Sequence, residues 1–155
     1  MLEDLTPEQL AAAAALVQTP GYAAVRDEAP YYLLAFVMRE LGIGDPIDPV
    51  WNLLQATWQV RDQPEIYSRY ATELVSSWDA GSAAFRSENS DDWRWIESFI
   101  ANVERQAGRF EEAGARLDAL EPLASEDADL MERIRTTRRL IAEGNSQPFS
   151  PERGD

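Results

Sequence analysis

The feature that most constrains this chain is its punctuation. Apolar residues recur at three- and four-residue steps, and each run opens at a Pro or a small polar residue and closes at a Gly or the next Pro. That is the pattern of amphipathic helices with marked ends. No stretch alternates convincingly with the period of two that a half-buried strand needs. Thr6-Pro7-Glu8-Gln9 combines a capping hydroxyl, Pro at the first helical position and Gln three residues after the cap. It opens a helix that runs to about Gln18, before Thr19-Pro20-Gly21. A second helix starts near Pro30, carries Tyr31, Leu34, Met38 and Leu41 on one face, and stops at Gly42. Asp48-Pro49 caps a third, with Val50, Leu53, Leu54, Thr57 and Trp58 inward, until Gln63-Pro64-Glu65 interrupts it. A fourth follows, with Tyr67, Tyr70, Ala71, Leu74 and Trp78 in helical register.

The stretch from Ala80-Gly81 to Ser90 is small and polar and reads as the longest internal loop. Ser90-Asp91-Asp92 caps a fifth helix, whose Ile96, Phe99, Ile100, Val103 and Ala107 form the cleanest apolar stripe before Gly108 breaks it. A sixth carries Phe110, Ala113, Leu117 and Leu120 inward and ends at Glu121-Pro122. Ser125-Glu126-Asp127 then starts a seventh, with a thin stripe of Leu130, Ile134 and Ile141. At 155 residues, 45% of them apolar, the chain makes one ordinary domain with a real core. The expectation is all-α: about seven antiparallel helices stacked as hairpins one-two, three-four and five-six, with the seventh as an end cap. The helical domain spans 1–143, and the polar, Pro-bearing tail 144–155 is expected to be disordered.

Three absences narrow the chemistry such a fold can carry. There is no Cys, no His and, because all fourteen basic residues are Arg, no Lys. That removes the common general base, the thiolate nucleophile, the usual zinc, haem and iron–sulfur ligands, and the Schiff-base or phosphate-loop lysine. Asp127-x-Asp129 begins like a calcium loop, but Glu132 stands where such a loop turns on Gly. Asp91-Asp92 and Glu111-Glu112 sit at helix starts, where the helix dipole favours them. Paired carboxylates of the glycosidase kind depend on a separation in space that sequence does not give, and nothing here recommends them. The chain is expected to be non-catalytic, without metal or cofactor.

Twenty-eight acidic residues against fourteen Arg leave a net charge of −14. Such a surface repels nucleic-acid backbones and anionic membranes and favours cationic partners, although a solvated acidic coat has the same composition. The apolar stretches Ala11–Val17 and Tyr31–Met38 fall far short of the roughly 20 residues of a membrane span, so a cytoplasmic location is expected.

Ile100-Ala101 to Gly108, followed by Ala113 and Leu117, resembles a tetratricopeptide repeat: large and small residues at fixed steps on a helical hairpin, with Gly at the turn. Gly108-Arg109-Phe110-Glu111-Glu112-Ala113 is the most typical string, and Trp51-x2-Leu54-x3-Trp58-x3-Asp62 follows the first-helix pattern of the same repeat. Glu97 and Glu104 stand where the family prefers aromatic residues, Leu120 and Gln55 replace small ones, and Asp62 and Gly108 are 46 residues apart rather than about 34. Tyr31, Leu34, Ala35, Met38 and Gly42 also match the first-helix pattern, but this conflicts with pairing that helix as a second one and the match is read as coincidence. An irregular helical bundle is the alternative.

The resemblance implies a groove that grips a peptide or helix of another protein. The fifth helix would present Trp95, Ser98, Asn102 and Arg105 to it, and the third helix Asn52 and Gln59. Asn102 falls where peptide-binding members of the family place an Asn that bonds the ligand backbone. Each of these is also what an ordinary solvent-facing position carries. Trp51, Trp58 and Trp78 lie on apolar stripes and read as core. Trp93 and Trp95, two apart on a helix, point about 200° from each other, so one should meet a groove, the next helix or a dimer partner. Trp and Arg dominate binding hot spots, which makes Trp95 with Arg105 the preferred contact pair. The competing function is a small acidic inhibitor, of immunity type or imitating nucleic-acid charge, that neutralises a basic protein. Its carboxylates should cluster on one face, whereas here they alternate with Arg, as in Glu104-Arg105 and Glu132-Arg133. Homodimerisation through an exposed apolar patch is a third reading. A far-UV circular dichroism spectrum should show helix alone, and substantial strand would overturn the fold expectation.

Overall fold

The computed structural model describes residues 6–148, and among them every regular element is helical. Eight α-helices follow in order: α1 (Pro7–Leu16), α2 (Pro20–Val25), α3 (Pro30–Leu41), α4 (Asp48–Gln59), α5 (Pro64–Glu88), α6 (Ser90–Gln106), α7 (Phe110–Leu120) and α8 (Ala128–Ala142), with one 3₁₀ turn at Glu121–Leu123. The capping box read at Thr6 is formed: its hydroxyl accepts from the Gln9 N–H at 3.2 Å, and the Gln9 side chain accepts from the Thr6 N–H at 2.9 Å.

Two elements differ from expectation. Thr19-Pro20-Gly21 is a helix start rather than a stop, because the Thr19 hydroxyl accepts from the Tyr22 N–H at 3.1 Å and caps α2 as Thr6 caps α1. The expected loop Ala80–Ser90 is helical through Glu88, making α5 a single helix of 25 residues, about 37 Å long. Its Ala residues favour helix, one interior Gly costs only about 1 kcal/mol, and Phe85 extends the Leu74–Trp78 stripe. The Phe85 ring meets Trp78 edge-on at 5.8 Å.

The chain divides into two compact units at the Val60–Arg61 junction. In the first, the tight hairpin joins α3 to α4, and α1 packs on α3. The expected pairing of the second helix with the first, and of the third with the fourth, is corrected: the second and third expected helices, α3 and α4, form the hairpin, turned by Gly42 in the left-handed conformation (φ 59°). Tyr32, Ala35 and Met38 of α3 and Val50, Leu53, Leu54, Ala56 and Thr57 of α4 are buried. Val50, Leu53, Leu54 and Thr57 of α4 are buried as expected; Tyr31, Leu34, Trp51 and Trp58 are exposed, so the inward face of α3 is corrected by about one position and Trp51 and Trp58 are not core residues. Trp51 and Trp58 lie seven apart on the side of α4 turned away from its buried stripe.

In the second unit α6 is the central element, packed against α5, α7 and α8. Gly108 (φ 78°) closes the α6–α7 turn, with Arg109 N–H donating back to the Glu104 carbonyl at 2.8 Å. Ala101, Leu117, Leu120, Ala124, Leu130 and Ile134 form one buried cluster, against which Trp93, Trp95, Met131 and Ile141 pack. Both tryptophans are therefore accounted for by a helix covered on more than one side. Of the tail expected to be disordered, residues 144–148 are ordered and lie against α6, while 149–155 lie outside the described residues.

Trp58, 51% exposed, and Leu54, 1% exposed, make opposite predictions. In urea unfolding, Trp58→Ser should change stability by less than about 0.5 kcal/mol. Leu54→Ala should cost about 2–5 kcal/mol.

Candidate functional site

The charged residues of α6 divide between two of its faces. Toward α7 stand Glu97 and Glu104, seven residues apart and buried (6% and 3% exposed). Arg116 of α7 reaches between them. Its Nε and NH2 donate to the two Glu104 oxygens at 3.1 and 3.0 Å, and NH1 donates to Glu97 at 2.8 Å. NH1 and NH2 also donate to Asp79 of α5 at 3.0 and 3.3 Å, so all five guanidinium N–H groups are used. The second Glu97 oxygen accepts from the Trp78 indole N–H at 3.0 Å. Burial alone would lower the Arg116 pKa, but its bonds to Glu104, Asp79 and Glu97 outweigh that and raise it above the ordinary arginine value. This cluster floors a groove of about 730 Å³ between α5, α6 and α7, rimmed by Arg86, Trp93 and Glu112. Arg86 stacks on the Trp93 ring at 4.4 Å.

Toward α8 lies Arg105, fully buried, and it meets no carboxylate among the described residues. Asn102, one turn earlier, accepts from its Nε and NH2 at 3.0 and 2.9 Å and fixes the guanidinium plane. The free end, NH1, donates to two main-chain carbonyls, those of Asn145 at 2.5 Å and Gln147 at 3.0 Å. Burial pushes the Arg105 guanidinium below the usual arginine value, with the Tyr67 phenol acting weakly the other way. Along the same side of α6, Arg133 of α8 lies over the Phe99 ring at 4.1 Å, and its desolvation lowers it likewise.

No family model matches this chain, and no curated protein or solved structure matches it either. Geometry alone therefore bears on function. Among the described residues no group of three or more Asp or Glu side chains is placed to hold a metal ion, and no helix is long and apolar enough to cross a membrane.

Of the residues singled out in the sequence, the structure brings Asn102 and Arg105 together and places Trp95 half-buried beside the α6–α8 cluster. Arg105 is buried rather than presented to solvent, because α8 and the segment after it cover that side of α6. Ser98 is buried too, its hydroxyl turned back onto the Trp95 carbonyl at 2.7 Å. Trp93 faces the other groove. Asn52 and Gln59 belong to the first unit and are engaged within its hairpin. The Asn52 amide donates to the Asp48 carbonyl at 2.9 Å and contacts the Met38 sulfur. Gln59 accepts from the Tyr31 N–H at 3.3 Å, substituting for the side-chain cap that Ala29 cannot supply to α3. Sequence reasoning missed the Arg116 cluster, although Glu97 and Glu104, two acids one heptad apart beside an apolar stripe, carried its signal.

Arg116→Met should leave Glu97 and Glu104 buried without their cation and cost about 3–5 kcal/mol in urea unfolding. Adding Glu97→Gln and Glu104→Gln should recover much of that loss. A loss below about 1 kcal/mol would mean that water reaches the cluster.

Proposed function

We propose that this chain is a non-catalytic interaction module that binds a peptide of a partner protein on the α6–α8 face, within a tetratricopeptide-like arrangement of helical hairpins. The observation that carries the reading is the Asn102–Arg105 pair with irregular main chain seated on it: a fully buried guanidinium whose NH1 takes two backbone carbonyls. Backbone carbonyls are common to every peptide, so such a site grips main chain and leaves sequence preference to neighbours such as the half-buried Trp95 and Phe99. Hairpin geometry supports the repeat-like part. Small residues, Ala101 and Ala113, are buried on the α6–α7 hairpin, as close helix approach requires. The acidic-inhibitor reading draws on the net charge of −14, but the carboxylates gathered most closely, Asp79, Glu97 and Glu104, are engaged by Arg116.

The test is selection from a displayed library of random heptapeptides, followed by binding measurements at low and high salt. Selected peptides should bind through high salt, and Asn102→Ala, checked for an unchanged helical spectrum, should weaken them at least about tenfold, the loss of a charge-assisted bond. Binders that vanish in salt and ignore Asn102→Ala would move the function to the acidic surface.

A further inference from the structure

Helix α8 ends at Gly144, whose left-handed backbone (φ 62°) turns the chain back across α6. The Asn145 N–H donates to the Leu140 carbonyl at 2.8 Å and closes that turn. The Gln147 N–H then donates to the Asn145 side chain at 2.8 Å, an Asx turn that aims the carbonyls of residues 145 and 147 at the same Arg105 nitrogen. None of residues 144–148 is buried: Gly144, Gln147 and Pro148 are exposed, Asn145 and Ser146 half-buried. The segment contributes no apolar side chain to the core, and apart from its two bonds to Arg105 it is held only by its own turn, so it opens more readily than the helices it crosses. Arg105 is the opposite case, a fully buried cation that needs two acceptors at NH1 whatever supplies them. The demand is fixed, and the supplier is loosely held.

We propose that residues Asn145–Gln147 are an internal occupant of the Arg105 site, and that a partner protein binds by laying its own Asx-turn segment on Arg105 in their place. This rests on the reading that the α6–α8 face takes a peptide. The chemistry of the partner follows from the occupant: Asn, Asp, Ser or Thr at the first position to form the turn, and first and third carbonyls free to accept. The tethered segment competes at an effective concentration in the millimolar range, so a partner must add side-chain contacts to displace it. Beside the seated segment lies a cavity of about 470 Å³, walled by Ser146, Gln147 and Pro148 on one side and by Tyr67, Ser68 and Gln106 on the other, which release would widen.

The experiment uses the full chain, two variants that release the segment, and a labelled synthetic peptide, Gly-Asn-Ser-Gln-Pro-Phe, copied from residues 144–149. Gly144→Val forbids the left-handed turn. Asn145→Pro, which removes both the N–H and the Asx acceptor, serves should the first variant misfold. The Arg105 NH1 proton signals in NMR report whether the segment has left, since NH1 is the nitrogen that its carbonyls accept from. Peptide binding should be at least about tenfold tighter to the released variants than to the unmodified chain, and should disappear when the Asn of the peptide is replaced by Ala. Equal binding to all three proteins would overturn the internal-occupant proposal and leave the peptide-site reading standing. No binding to variants whose Arg105 signal shows the segment gone would overturn that reading, and the proposal with it.

Discussion

The second unit depends on one guanidinium. Arg116 ties α7 to two residues of α6 and one of α5, and through Glu97 it reaches the indole of Trp78 in the core of α5. Ions of this kind are expensive to desolvate, and a partly satisfied cluster would be worse than an apolar one. Completeness is what makes it tolerable: five N–H donors meet three carboxylates, with no guanidinium N–H left over. Because Asp79, Glu97 and Glu104 must all converge on one planar fork, the cluster also specifies how three helices register against each other. A purely aliphatic contact specifies that less sharply. Glu97 and Glu104 are thereby explained as the acceptors of a polar lock between α6 and α7.

The same central helix explains why a chain with twice as many acids as Arg holds a buried Arg without a carboxylate. Covered by α5, α7 and α8, the middle and end of α6 leave Glu97, Glu104 and Arg105 buried, so each of these three finds its partners inside. On the α7 side, acids of α6 meet an Arg. On the α8 side the order is reversed: Arg105 projects from α6 toward surroundings that offer an amide oxygen and main-chain carbonyls. Neutral acceptors satisfy its N–H groups without cancelling its charge. That difference sets the charge-balanced Arg116 cluster apart from the Arg105 site, whose acceptors are neutral and partly main chain.

Much of the fold could be read from the sequence because helix ends are local chemistry. Thr6, Pro30, Pro64, Gly42 and Gly108 mark boundaries through bonds or dihedrals that involve only their own neighbours. Where the reading slipped, a local signal was ambiguous: Thr19-Pro20-Gly21 serves equally as stop and start, and the Ala-rich end of α5 looks like loop until Phe85 is counted on the stripe. The candidate site was legible in half. Asn102 and Arg105 stand one turn apart on a polar face of α6, and that spacing brought them together. Their third party is the main chain of residues 145 and 147, forty residues away, and carbonyl oxygens have no sequence signature.

Tryptophan shows where residue type stops being informative. Trp78 sits in α5 beside the polar lock and is buried. Trp51 and Trp58 sit on α4 and are exposed, although all three occupy helical stripes that read alike. Among the described residues, six of the seven large apolar side chains exposed to solvent, Leu10, Val17, Tyr31, Leu34, Trp51 and Trp58, belong to the first unit. A hairpin of two helices covers one face of each, whereas α6, with neighbours on three sides, has little outer face to expose. Burial is thus decided by how many helices surround a given one. That is a property of topology, absent from the spacing of apolar residues along any single helix.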